Sequence, residues 1–238
     1  MSTERNNLTR RSALTAGLGL AGIFALGGCQ LLGLEWRYRY RLTVEVEAGG
    51  KLFTGSSVIE VTRTKGPTGI GGTSRGEAVA VDLPGGRTLF ALLRGDMGGV
   101  DWPFTMPHWA FADRLGDTNM VDPAALDKLG SLRGATVILS PAQYPLLVTF
   151  RDVRDPKSVE RVDPQALDNS FGPNVRLHRI TVSMTDAPIT TGIEKRFQWW
   201  SAYRRSHFDG TSTVSEDLTN NLLSSSLSSG SFSTEYLK

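Results

Sequence analysis

The stretch EWRYRYRLTVEVE, residues Glu35 to Glu47, alternates without a break. Trp36, Tyr38, Tyr40, Leu42, Val44 and Val46 fall on one side; Glu35, Arg37, Arg39, Arg41, Thr43, Glu45 and Glu47 fall on the other. Successive side chains of a β-strand point to opposite faces, so this period of two specifies a strand with one dry face and one charged, solvated face. Strands of that kind belong to antiparallel sheets. Ala48-Gly49-Gly50-Lys51 supplies a turn, and the chain returns from Phe53 to Thr64 with Val58, Ile59 and Val61 as its apolar content.

Outward from this hairpin, the Gly-rich stretch Lys65–Gly76 reads as a flexible loop. Its Gly69-Ile70-Gly71-Gly72-Thr73-Ser74 lacks the order of a phosphate-binding loop and the strand-to-helix context that such a loop needs. Ala78–Leu83 and Thr88–Leu93, joined by Pro84-Gly85-Gly86-Arg87, form a second hairpin. From Gly95 to Met120 the pattern is irregular. Val121-Asp122-Pro123-Ala124-Ala125-Leu126-Asp127 then appears and returns as Val162-Asp163-Pro164-Gln165-Ala166-Leu167-Asp168. Asp before Pro is a helix start, because the carboxylate caps and proline suits the first helical position, so each copy predicts a short helix. Strands are expected at 135–139, 146–151 and 175–185. Ile193, Phe197 and Trp200 share one face at helical spacing, which predicts a helix over Glu194–Arg205. The fold class is mainly β, or α+β: an antiparallel, sandwich-like sheet domain over residues 35–203 with a few short helices. Residues 204–238 are rich in Ser and poor in core formers, and read as a disordered tail.

The one cysteine of the 238 residues, Cys29, closes Leu26-Gly27-Gly28-Cys29 behind the apolar segment Ala13–Leu26. A polar, net-positive stretch containing Arg10 and Arg11 precedes it. These are the parts of an export signal, and 14 apolar-segment residues fall short of the roughly 20 that a spanning helix needs. The motif resembles the lipobox of bacterial lipoproteins. That resemblance implies a signal over 1–28 removed by cleavage, a diacylated Cys29 and a short anchored linker over 29–34. Thr9-Arg10-Arg11-Ser12-Ala13-Leu14 is similar to a twin-arginine signal, which implies export of the folded chain, although Ala13 stands where that family usually has Phe. Gln30 after the cysteine, rather than Asp, leans the expected location towards the outer membrane, on the periplasmic side of the envelope. Phrases such as GSSVIEVTR and GEAVAVDLPGGRTLFALL resemble uncharacterised proteins of Gram-negative bacteria with no assigned activity, so nothing functional carries over.

The chain has 26 basic and 24 acidic residues. Removing residues 1–28 takes away Arg5, Arg10, Arg11 and Glu4, leaving 23 of each sign. A neutral mature body argues against nucleic acid as a partner. One cysteine excludes an internal disulfide and cysteine-built metal clusters. No GxSxG elbow and no HExxH pair is present, and no cofactor is implied. Asp101, His108 and Asp113 fall in one aromatic stretch with Trp102, Phe104, Trp109 and Phe111, an oxygen-plus-imidazole set that can bind metal, do acid–base work or meet a partner. Trp199 and Trp200, beside Lys195, Arg196, Arg204 and Arg205, read either as core or as an interfacial aromatic–basic surface. The leading expectation is a lipid-anchored envelope protein that binds or scaffolds an envelope partner without catalysis. The alternative is a hydrolase or metal-dependent enzyme with its site in the Asp96–Asp117 loop.

Overall fold

The computed structural model describes residues 34–96, 99–116, 119–212 and 217–236. Cys29, Arg10 and Arg11 lie outside the described residues, as does Asp117. Among the described residues, nine strands form two antiparallel sheets. The five-stranded sheet contains β1 (Glu35–Ala48), β2 (Lys51–Gly66), β3 (Gly69–Arg75), β6 (Thr136–Ile138) and β9 (Val175–Met184), in the order β3-β2-β1-β9-β6. The four-stranded sheet contains β4 (Val79–Asp82), β5 (Thr88–Gly95), β7 (Pro145–Phe150) and β8 (Val159–Arg161), in the order β4-β5-β7-β8. The alternation read at 35–47 holds in space. Tyr38, Tyr40, Leu42, Val44 and Val46 are buried, while Arg37, Arg39, Arg41, Glu45 and Glu47 face outward and are exposed or half-buried. Among the described residues no helix is long and apolar enough to cross a membrane.

The inner faces of the two sheets make one core. Tyr40, Leu42, Ile59 and Val61 meet Val79, Val81, Leu89, Ala91, Leu93 and Leu147 there. The sheets approach closely where β2 crosses β4. A β-carbon at Gly55 would overlap the carbonyl oxygen of Ala80, so only glycine admits that crossing.

The other face of the four-stranded sheet is dry as well. Phe90, Leu92, Leu146, Val148, Phe150 and Val159 pack against Phe197, Trp199, Trp200, Phe208, Leu218, Leu223, Leu227 and Phe232. The C-terminal segment is therefore a third layer, and the disordered tail expected over 204–238 is corrected for its described residues, 204–212 and 217–236, whose apolar side chains pack on the sheet. Ser-rich composition misleads here because an apolar anchor recurs among the serines, and buried Ser226 and Ser229 hydrogen-bond to carbonyls, of Leu222 at 2.9 Å and of Tyr203 at 3.2 Å. Residues 232–234 also pair with 76–78 beside β4: the Ala78 amide donates to the Phe232 carbonyl at 2.7 Å, and the Thr234 amide to that of Gly76 at 3.0 Å.

Four local expectations change. The loop expected at Lys65–Gly76 is the end of β2, a turn, and β3. Gly72 sits in β3 because Phe104 and the Arg63 stem press on it from one side. The irregular stretch Gly95–Met120 contains α1 (Trp102–Ala110) and α2 (Ala112–Leu115). Pro103 suits the first turn of α1, but Pro107 is interior and cannot donate to the Pro103 carbonyl. The Tyr40 hydroxyl, buried beneath, donates to that carbonyl at 2.8 Å and so ties α1 to β1. Burial holds this phenol well above its ordinary pKa, which keeps it a donor. Both Asp-Pro copies close as turns: the Asp122 carboxylate accepts from the Ala124 amide at 3.1 Å, and Asp163 from Gln165 at 2.8 Å. Only the first runs directly into a helix, α3 (Pro123–Ser131); after the second, α4 (Leu167–Phe171) starts three residues beyond Pro164. The helix expected over Glu194–Arg205 is two single 3-10 turns, Ile193–Arg196 and Trp200–Tyr203, because its aromatics follow the sheet surface rather than a helix face.

Candidate functional site

The second Asp-Pro turn forms a ridge between two open clefts. On one side, a cleft of about 740 Å³ is bounded by Gly49 and Gly50 of the β1–β2 turn, by Asp168 of α4, and by Asn174 and Arg176 at the start of β9. Asn174 adopts φ 62°, a left-handed conformation that asparagine tolerates better than most residues, and its carbonyl accepts from the Gly49 amide at 3.3 Å. Arg176 reaches back to Glu47, with Nη2 2.7 Å from Oε2. On the other side, a cleft of about 520 Å³ is bounded by Asp96, Pro141, Arg161, Asp163 and Asn220. Arg161 Nη2 donates to both oxygens of Asp96, at 2.9 and 2.8 Å. The Arg161 amide donates to Asn220 Oδ1 at 2.8 Å, so a side chain of the third layer occupies the open edge of β8. Pro164 and Gln165 line both clefts. Each cleft thus holds one ion pair at its wall with amide and carboxylate groups around it, an arrangement suited to hydrogen-bonding a polar surface.

The residues singled out from the sequence fall elsewhere. Asp101 caps α1 with its carbonyl, which accepts from the Phe104 and Thr105 amides at 3.1 Å, and its side chain is exposed. His108 is buried in α1, while Asp113 lies exposed in α2. Among the described residues no three His, Cys, Asp or Glu side chains gather as a metal-binding group, so the structure does not bring Asp101, His108 and Asp113 together as one. Asp96 belongs to the Arg161 cleft instead. Trp199 and Trp200 are only 7% and 5% exposed. Trp199 Nε1 donates to the Val153 carbonyl at 2.8 Å, and its ring packs 4.7 Å from that of Phe197. Their rings belong to the core between the sheet and the third layer, which corrects the reading of an exposed membrane interface. Trp109 is the α1 aromatic left substantially exposed, at 43%.

Reading the sequence missed Arg161, Asn220, Arg176 and Asn174. Nothing marks the pairing of Asp96 with Arg161 at a separation of 65 residues, because it depends on the β5-β7-β8 order. The second Asp-Pro phrase, expected only as a helix start, lies on the ridge between the clefts. No protein-family model, no curated protein and no solved structure matches this chain.

Proposed function

We propose that this chain is a lipid-anchored protein of the bacterial cell envelope whose β-sandwich binds or scaffolds another envelope component. The observation that carries the reading is Leu26-Gly27-Gly28-Cys29 directly behind the apolar segment Ala13–Leu26, with the paired arginines upstream. A diacylated cysteine anchors stably, because two chains bind a bilayer where one gives only marginal attachment. The linker before β1 is short, so the domain would be held close to the bilayer surface on the periplasmic side, and Gln30 in place of Asp after the cysteine favours the outer membrane. The two polar clefts beside Gln165 support a binding role, since their hydrogen-bonding groups come from turns and strand ends held by the sheets.

Metabolic labelling with a radioactive fatty acid tests the anchor. The wild-type chain should take up label and lose its signal, and Cys29→Ser should do neither, because the acyl transfer that precedes cleavage needs a thiolate sulfur. Label on the Cys29→Ser protein overturns the lipoprotein reading. A photo-crosslinking residue at Gln165 tests the binding role in the same cells: a discrete adduct with one envelope component is expected, and its absence from Gln165 and Asn220 alike removes the clefts from that role.

A further inference from the structure

Away from the Gln165 ridge, a third cleft of about 400 Å³ opens between the β4–β5 turn and the turn that follows β7. Arg87, Arg151 and Arg196 line it together with Thr88 and Asp152. They come from three distant parts of the chain, so no run of basic sequence announces them. The rings of Phe90 and Phe150 lie behind.

The charges here do not balance. Glu160 serves two arginines at once: its Oε1 is 3.0 Å from Arg151 Nε, and its Oε2 is 3.5 Å from Arg87 Nη2. Asp82 takes the full fork of Arg196, at 2.8 and 3.0 Å, which holds that carboxyl below its usual range. Asp152 takes the fork of Arg154, at 2.9 Å on both arms. Arg196 also feels the charge of Glu77, so the shortage falls on Arg87 and Arg151, which have the one carboxylate of Glu160 between them. The two arginines that share Glu160 differ in freedom. Arg87 is fixed, with Nη1 donating to the Ser170 carbonyl and the guanidinium 5.4 Å from the Phe171 ring. Arg151 is 69% exposed and touches Glu160 through Nε, leaving its two Nη nitrogens without a hydrogen bond to any described residue.

We propose that this cleft binds a phosphate group. A planar guanidinium presents paired N–H donors that match two oxygens of a tetrahedral oxyanion, and two such groups on one carboxylate leave donors and one positive charge unmet. Phosphate seated between Arg87 and Arg151 meets both. The aromatic backing excludes water from one side and lowers the local dielectric, which strengthens the attraction. The volume admits a phosphate with a small substituent, so the group could be free or carried on a lipid headgroup; the chemistry recognised is the same.

The test uses the full-length Cys29→Ser chain, so its outcome does not depend on the acyl anchor. Calorimetric titration with inorganic phosphate at constant ionic strength, against chloride as blank, should give saturable binding. Arg151→Gln should weaken it about tenfold or more, the size expected for losing a charged hydrogen bond. Glu160→Gln should tighten it, because the competing anion is removed. A salt-bridge network with only a structural role gives no such gain. A second arm compares binding to phosphatidylcholine vesicles with and without phosphatidic acid. An Arg151-dependent excess on the anionic vesicles assigns the phosphate to a headgroup, and saturable binding in solution without that excess assigns it to a small soluble ligand. The proposal is overturned if neither arm gives Arg151-dependent binding, or if Glu160→Gln keeps the wild-type thermal midpoint and binds phosphate no more tightly.

Discussion

Strands β1 and β5 sit on opposite sides of one core, yet water reaches only β1. The outward residues of β1 are charged and meet solvent, whereas β5 is buried from Leu89 to Gly95 on both faces. The central β7 is likewise buried throughout, from Pro145 to Phe150. A strand with a wet face writes that face into the chain as every second residue. A strand covered twice has no such obligation and becomes a continuous apolar run. LFALL and PLLVTF are runs of that kind, so each required a cover on its second face before any tertiary detail was known. The cover is supplied by the least core-like part of the sequence, the Ser-rich C-terminal segment, through a few apolar anchors spaced among polar residues.

The largest effect that would break this comparison comes from removing the cover. Ending the chain after Tyr203 deletes Phe208, Leu218, Leu223, Leu227 and Phe232 and exposes Phe90, Leu92 and Phe150 to water. Each buried Phe or Leu contributes about 1.5–3 kcal/mol, so the combined loss is of the same order as the 5–15 kcal/mol that holds an ordinary domain together. The truncated protein should be insoluble or lack a cooperative urea transition. Phe232→Ala is a graded version, with an expected loss of about 3–5 kcal/mol. A truncated protein that unfolds at the wild-type urea concentration would return the segment to the status of a tail.

The contrast also explains what the sequence disclosed. Alternation in β1 and the two Gly-containing turns carried the hairpins, because their cause is local: pleat, turn and one wet face. The third layer was missed for a physical reason. Serines outnumber the apolar residues over 204–238, and the few anchors among them gain their energy only against a sheet formed elsewhere. The double-sided apolar runs of β5 and β7 were the readable signal that such a partner had to exist. The helices in Gly95–Met120 were hidden by prolines, one of which suits a first turn while the other is tolerated because Tyr40 satisfies the stranded carbonyl. The clefts were less legible than the fold. Arg161 on Asp96 and two arginines on Glu160 meet only after strand order is set, and identical charges scattered along other sequences would stay apart.

A smaller effect sharpens the comparison at the seam where the third layer joins β4. Glu77 is buried there, and its Oε2 accepts from the Ile193 amide at 2.8 Å. Burial raises its pKa above the ordinary 4.5, with nearby Glu194 adding to the rise, while the Ile193 amide and Arg196 oppose it. A carboxyl raised in the folded state favours the fold when protonated. Its contribution is therefore fully present below about pH 4.5 and is lost as pH climbs through the folded value. Glu77→Gln keeps an acceptor for Ile193 and cannot ionise. The stability of that variant relative to wild type should rise between about pH 4.5 and the folded pKa, then stay level towards neutrality. Urea midpoints of both proteins across about pH 4 to 7 measure it, and a difference that does not change with pH removes Glu77 as a strained group at the seam.

The smallest effect belongs to the wet face. Arg179 of β9 grips Glu45 of β1 through Nε at 2.7 Å and Nη2 at 3.2 Å, an arrangement that looks strong on geometry alone. Its side chain is 44% exposed, however, and solvent screens the attraction while both chains surrender rotamer freedom. Arg179→Ala should cost no more than about 1 kcal/mol, and raising the salt to about 1 M should erase most of the difference. The comparison with Phe232→Ala then reads directly: a well-aligned ion pair on the solvated side of the sandwich contributes less than one ring on the covered side. A loss near 3 kcal/mol for Arg179→Ala that persists in high salt would mean that the charged face of β1 is not a solvated surface, and that water is excluded from both sides of the sandwich.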